Sequence, residues 1–301
     1  MAIKKFYLTL GLFVVALTTQ AQISEWQDSS LIPPSRLAQH NEFMNNQYLF
    51  PAKPRSQWEV GFKVGSPSIS GDVQGLNPNF GFGVHVRKSL GYLVSLRGEF
   101  IMGSAKGLGT KDNNNYKNNP AWANNGYNSN VDRIYYNYKT KLNDFSLQAL
   151  INLTNIRFHT AAPKVSVYAI AGAGVTMYDV NIDALNGGSA KYNFSSVNAT
   201  LSSSAKRSAL KSLLDGVYET PAERAKSGTG KTSVLSATFG IGAAFKLSKK
   251  VNLAIEDRFT LVDDDLLDGQ RWGPYPAGNP SFSSNNDSFN YLSIGLNINI
   301  L

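Results

Sequence analysis

Cysteine is absent from all 301 residues. Exported chains commonly carry disulfides, and this one can form none, so its stability must come from a large core or from closed hydrogen bonding. Histidine occurs three times, at His40, His85 and His159, which leaves little material for a nucleophile activated by an imidazole. Beyond the first residues no run of eighteen apolar residues exists, so no segment has the length of a membrane-crossing helix. Acids are short against bases, 21 against 29, giving a formal charge of +8. The basic excess is scattered through loops and strand ends, not gathered on one face, and leaves no nucleic-acid footprint.

What is present begins with an address. Lys4 and Lys5 precede the apolar run "FYLTLGLFVVAL", and "TTQAQ" follows, with Thr19 and Ala21 at the small-residue positions of a cleavage site. Residues 1–21 therefore read as a secretory signal peptide, too short for a spanning helix. Its removal takes away two lysines and leaves 280 residues with a charge of +6.

The remaining chain is dominated by a period of two. In "LSIGLNINI", Leu292, Ile294, Leu296, Ile298 and Ile300 share one side, while Ser293, Gly295, Asn297 and Asn299 share the other. Eight segments alternate in this way, at about 57–66, 79–88, 92–103, 142–154, 164–178, 232–247, 250–261 and 289–301. Each is about ten residues or longer, which is what a tilted strand needs to cross hydrocarbon and more than the five or six usual in soluble sheets. Short connections alternate with long ones at 66–78, 104–141, 179–231 and 262–288. All short connections then fall at one end, as in outer-membrane barrels, and an even strand number puts both termini there, on the periplasmic side. The fold class is all-β: an eight-stranded antiparallel transmembrane β-barrel spanning 57–301, with residues 22–56 as a periplasmic lead-in in which "SRLAQHNEFMNN" is a short helix candidate.

The polar side of these strands carries Glu59, Lys63, Arg87, Arg97, Glu99, Lys246, Glu256 and Arg258. Mid-strand charges facing lipid cost a few kcal/mol each, about 2–4 for a base. Pointed inward they can pair, and the many strand glycines leave them room. Eight strands enclose an interior just wide enough for side chains, so the eight residues form a candidate lumen network and the aliphatic side faces lipid. Asp257 breaks the pattern by falling on the apolar side, which predicts a β-bulge at 256–258, with a protein partner at that spot as the alternative. Tyr48, Phe50, Trp58, Tyr92, Phe289 and Tyr291 crowd the strand ends, as an interfacial aromatic girdle does.

The loop at 104–141, rich in Asn, Gly and Tyr, has the composition of a solvated or adhesive surface loop. The loop at 179–231 holds a helical insert over about 205–226, with Leu210, Leu213, Leu214 and Val217 at helical spacing as a possible partner-binding face. There "TPAE" offers Thr220, Pro221 and Glu223 as a capping box. The acidic cluster Asp263, Asp264, Asp265 and Asp268 is a weak candidate for a hard cation. It lacks the spacing of a calcium loop, so a solvated loop paired with Arg271 is the preferred reading. "GTGKTS" at 228–233 fails as a phosphate loop, because position 225 is Ala and a strand, not a helix, follows. No metal, cofactor or catalytic residue is assigned.

"HNEFMNNQYLFPAKPRSQWEVGFKVG", "SVYAIAGAGVTMYD" and "DDDLLDGQRW" make the chain resemble the OmpA-like outer-membrane protein family over most of 37–301. The resemblance implies a barrel followed by a periplasmic peptidoglycan-binding domain. That domain is not in these residues, so peptidoglycan is an expected partner only if such a domain follows Leu301. The expected function is a non-enzymatic structural or docking barrel of a Gram-negative envelope, in contact with outer-membrane lipid and other envelope proteins. Alternatives are a narrow porin-like channel gated by the lumen charges, a subunit of a larger outer-membrane complex, and, last, an envelope hydrolase.

Overall fold

A chain whose side chains alternate apolar and polar for ten or more residues satisfies its backbone best in a sheet with two unlike faces. In the computed structural model of the chain eight such strands form: β1 (Trp58–Ser70), β2 (Gly75–Ser89), β3 (Val94–Leu108), β4 (Asn137–Asn152), β5 (Val165–Ile182), β6 (Thr232–Lys246), β7 (Val251–Val262) and β8 (Ser288–Ile300). The structure describes residues 32–48, 58–91, 93–154, 164–222, 232–248, 250–273, 283 and 286–300. The expected signal peptide, Phe50, Tyr92, His159, Glu223 and most of "GTGKTS" lie outside them.

Every strand pairs antiparallel with its sequence neighbours, and β1 pairs with β8, so the sheet closes on itself. Partners can be followed round the ring from Trp58 to Lys88, Leu96, Ala149, Ala171, Phe239, Phe259 and Asn290. The path returns to β1 at Ser68, ten residues above its start. Ten residues of offset against eight strand spacings tilt the strands about 40° from the axis. Closure leaves none of these eight strands as a sheet edge, which is how a cysteine-free chain holds so large a sheet.

The faces are inverted relative to a soluble barrel. Glu59, Lys63, Arg97, Glu99, Glu256 and Arg258 are buried inside, whereas Leu147 is 65% and Leu235 72% exposed on the outside. Phe62, Phe82, Leu96, Met102, Ile241, Ile294 and Leu296 complete an exposed apolar belt. Among the described residues no helix is long and apolar enough to cross a membrane.

Connections 90–93, 153–164 and 247–250 lie at one end, and 71–74, 109–136, 183–231 and 263–287 at the other. The first of these long-end connections is a correction to the sequence reading: 66–78 is not a long loop but two strand ends and a four-residue turn. Likewise β4 begins at Asn137 and β5 runs to Ile182. Above the belt the outer face turns polar (Ser66, Ser104, Lys106, Lys141), so the alternation fades while the hydrogen-bond ladder continues.

Two further expectations fail. The ladder through Glu256, Asp257 and Arg258 is unbroken on both sides, so there is no bulge. Asp257 stands on the outer wall opposite Leu292 and Ile241, its Oδ1 accepting from Asn290 Nδ2 at 2.5 Å. Phe289 and Tyr291 do not join an interfacial girdle; both face inward and are fully buried, while Trp58 and Tyr48 are exposed.

The largest apolar cluster lies at the long-loop end. Tyr116, Trp122, Tyr127, Tyr135 and Tyr136 from 109–136 pack with Tyr192, Phe194 and Leu210 from 183–222 and with Leu266 and Leu267 from 263–273. Trp122 meets Tyr127 and Tyr136 edge-on, with centroids 5.2 and 5.5 Å apart, the geometry that aromatic quadrupoles favour. Phe289, Tyr291, Tyr178 and Ile101 of the strands join from below. The expected solvated loops are thus a cap over the barrel mouth; their aromatics recur without a period, so only the tertiary fold reveals them.

Outside the barrel, α1 (Leu37–Met44) forms where the short lead-in helix was expected. A one-turn helix, α2 (Pro120–Ala123), is capped by Asn119, whose side chain accepts from Ala121 N. The helical insert is α3 (Ser203–Leu213), capped by Ser202. Leu210 is buried in the cap, Leu213 and Leu214 pack against it, and Val217 is 53% exposed. The predicted apolar face is therefore covered largely by the chain itself. Thr220 and Pro221 are not a helix start. They pair as a short strand with Ile182 and Asn181, and Thr220 accepts from Asn125 Nδ2 at 3.2 Å, a tertiary contact that overrides the local capping signature.

Candidate functional site

The inward positions of the strands bring six charged groups together at mid-barrel. Lys63 of β1 bonds to Glu99 of β3 and, at 2.6 Å, to Glu256 of β7. Arg97 of β3 reaches Glu256 at 2.5 Å and Glu99 at 3.3 Å. Arg258 of β7 reaches Glu99 at 2.9 Å and Asp144 of β4 at 2.8 Å. In the ring β3 and β7 lie four strands apart, so the Arg97–Glu256 and Arg258–Glu99 bridges span the full diameter. Three cations meet three carboxylates, and none of the six exceeds 4% exposure.

Neutral groups complete the set. Tyr168 donates to Glu256 at 2.6 Å, Arg97 donates to Gln148 at 2.7 Å, and Thr176 donates to Asp144 at 2.7 Å. Burying ions at mid-barrel is costly unless partners satisfy them, and here four of the six carboxylate oxygens face two donors each. Glycine supplies the space, as expected: a Cβ on Gly242 would lie 2.5 Å from the Tyr168 ring.

A second set lies lower. Arg87 donates to Glu59 at 2.5 Å, and His85 Nε2 is 3.6 Å from Glu59 Oε1. Of the eight predicted lumen charges, seven fall in these two sets. Lys246 is placed lower still, level with Asn252 and half-buried. Asp144, Gln148, Tyr168 and Thr176 were missed. Asp144 shares the inward register of Ser146 and Gln148 and lies within the predicted strand 142–154, so it was legible by parity.

The acidic loop at 263–268 is not a solvated cluster. Asp264 accepts from Tyr178, and Asp268 is fully buried, accepting from Val73 N at 2.7 Å and Gln270 N at 2.9 Å. Asp263 instead accepts from Asn286 at 3.1 Å. Asp263, Asp264 and Asp268 thus point to different partners. Among the described residues no group of three or more His, Asp or Glu is arranged to hold a metal.

Asp268 faces another buried acid, Asp287, whose Oδ2 accepts from Asp268 N at 3.2 Å. Both lie against Gly71, where a Cβ would sit 2.0 Å from Asp287 Oδ1 and 2.5 Å from Asp268 Oδ2. Burial, then the neighbouring acid groups, pushes both carboxyls well above the ordinary range, Asp268 to about 7 and Asp287 to about 9. Burial also lifts Asp265 to about 7 and Asp183 to about 6.

The arrangement defines a class: a closed antiparallel barrel of eight strands, apolar outside, filled inside by paired charges and covered at one mouth by its own loops. No protein-family model matches the chain, and no curated protein matches it. Among solved structures the chain is similar to Ail, the attachment invasion locus protein of Yersinia pestis, at 9% identity, covering 82% of this chain and 99% of that one with a TM-score of 0.39. It is also similar to a major outer membrane protein from Thermus thermophilus, at 12% identity over 82% and 100% with a TM-score of 0.39. A third is the outer membrane protease OmpT from Escherichia coli, at 8% identity over 83% and 99% with a TM-score of 0.36. Likenesses this distant say nothing of what this chain does; its fold rests on its own strand pairing.

Proposed function

We propose that this chain is a membrane-spanning barrel of a Gram-negative outer membrane, serving as a structural or docking element and not as an open pore. The belt of Phe62, Leu147, Leu235, Ile241 and Ile294 fits hydrocarbon rather than water. The short-turn end, which carries both barrel termini, faces the periplasm, and the capped end faces outward. The observation that carries the non-conducting reading is the lumen. Lys63, Arg97, Arg258, Glu99, Glu256 and Asp144 fill the mid-section with bonds that cross the diameter. The aromatic cap lies above them.

On this reading the chain is OmpA-like and has no enzymatic role. His85 is buried beside Glu59 at the lower lumen, a position suited to filling space rather than to activating a nucleophile. Partners would meet the cap surface, where Val131 and Val217 are exposed. The test is reconstitution of the refolded chain into planar bilayers. Heat-modifiable migration demonstrates the folded barrel and silence at moderate voltage is expected; a steady ohmic current overturns the plug.

A further inference from the structure

Just above the apolar belt, the outer wall of β3 and β4 carries three neighbouring lysines. Lys106 stands directly opposite Lys139 in the ladder, and Lys141, the next outward residue of β4, stands opposite Ser104. Like charges placed directly opposite one another weaken a sheet, so the pairing calls for a counter-charge. The wall offers one carboxylate at this level among the described outward strand positions, Asp179 opposite Lys141; opposite Lys139 is Asn181. Lys106 is held at the wall over the Tyr218 ring, 5.3 Å from its centroid.

More positive charge lies nearby. Arg207 of α3 contacts Gln74 in the β1–β2 turn, and Gln74 O accepts from Leu108 N, two residues above Lys106. Helix α3 also carries Lys206 and Lys211 and no acid. Elsewhere round the rim the outward strand residues Ser66, Ser68, Ser233 and Asn290 are uncharged, and one exposed acid, Asp263, stands just past the end of β7. Below the lysines, past Ser104 and Asn143, the same two strands present Met102, Phe145 and Leu147, all exposed. The basic patch is thus continuous with the surface on which acyl chains would lie.

Resting on the membrane-spanning reading above, we propose that Lys106, Lys139 and Lys141 form a binding site for the phosphate groups of anionic lipid in the leaflet around the capped end. The belt sets the level at which hydrocarbon ends and headgroups begin, and the three ammonium groups sit at that level. A lipid phosphate there screens the Lys106–Lys139 repulsion, and its chains cover Met102, Phe145 and Leu147. Lysine stems are themselves apolar and reach along the wall to hold the charge at the interface. The affinity is electrostatic and additive over three bases, without the bidentate geometry that arginine would impose.

The test uses the refolded full chain in phosphatidylcholine bilayers containing a minority of labelled phosphatidic acid, read by energy transfer from the protein's tryptophans. Enrichment of phosphatidic acid around the barrel is expected. The K106Q/K139Q/K141Q variant should weaken it roughly 100-fold, while the K88Q variant at the opposite end keeps it. Charge-preserving K106R/K139R/K141R should retain binding, and the single glutamine variants, each with a partial loss, serve where the triple one does not fold. Unchanged enrichment across the glutamine variants, or displacement of the lipid by equimolar inorganic phosphate, overturns the site. A barrel that enters bilayers without preferring phosphatidic acid overturns the lysine site alone, whereas a chain that stays soluble without detergent overturns both readings.

Discussion

Arg97 and Glu256 bond at 2.5 Å straight across the barrel, from β3 to β7. Glu256 also accepts from Lys63 and Tyr168, so Glu256→Ala leaves three buried cations facing only two carboxylates, Glu99 and Asp144. Breaking a buried ion pair from one side typically costs about 3–5 kcal/mol. Urea unfolding in lipid should show a loss of that order. The double variant Arg97→Met with Glu256→Met should lose less than the two single variants together, because it leaves fewer orphaned charges.

Gly71 marks the tightest point of the cap. Its missing side chain admits Asp287 and Asp268 at distances where a Cβ would collide. Gly71→Ala should loosen the cap while leaving the ladder intact. Hydrogen exchange would then speed up in 109–136 and 263–273, with the backbone amides of β1 and β8 at mid-barrel unchanged.

The same two acids make the cap sensitive to pH. Their values in the folded protein, about 7 and about 9, lie above the ordinary carboxyl value near 4. Between those limits the folded cap holds protons that the opened cap has released, so each step up in pH favours opening. Asp72 and Asp265 lie near enough to add to the repulsion. Cap stability should be greatest in mild acid, decline from about pH 4 and level off above about pH 9. Protease susceptibility of 109–136 across that range measures it, and Asp287→Asn should flatten the upper part of the profile.

Asp257 is an acid on the apolar wall, relieved by one amide from Asn290. Replacing it with Leu continues the row Ile255, Phe259 and Leu261 and should stabilise the barrel in lipid by about 1 kcal/mol. Denaturation in phosphatidylcholine vesicles decides this; a loss of stability would mean the carboxylate contributes more than it costs.

The barrel was legible because its rule is local: parity along each strand sorts side chains into two environments, and seven of the eight predicted lumen charges meet in the two buried sets. Where parity carried no contrast, the reading stopped. Asn137 and Gly75 belong to strands whose outer faces have turned polar, so the ladder outruns the pattern there. Parity also assigns Asp257 to the correct face, and no bulge is needed to accommodate it. Trp122, Phe194 and Leu266 meet from three separate loops, and no spacing in the chain announces a contact of that range. Thr220 carried a good local signal that a neighbouring strand overruled.

The cap also imposes an order on assembly. Its three segments hang from three different hairpins, so its aromatic centre cannot condense until those hairpins are neighbours in the right register. A barrel that zipped with one strand slipped would present Trp122, Tyr192 and Leu267 out of reach of one another, with their greasy surfaces bare to chaperones and proteases. Closing the mouth is thus a check on the whole ring, performed by the last part to form.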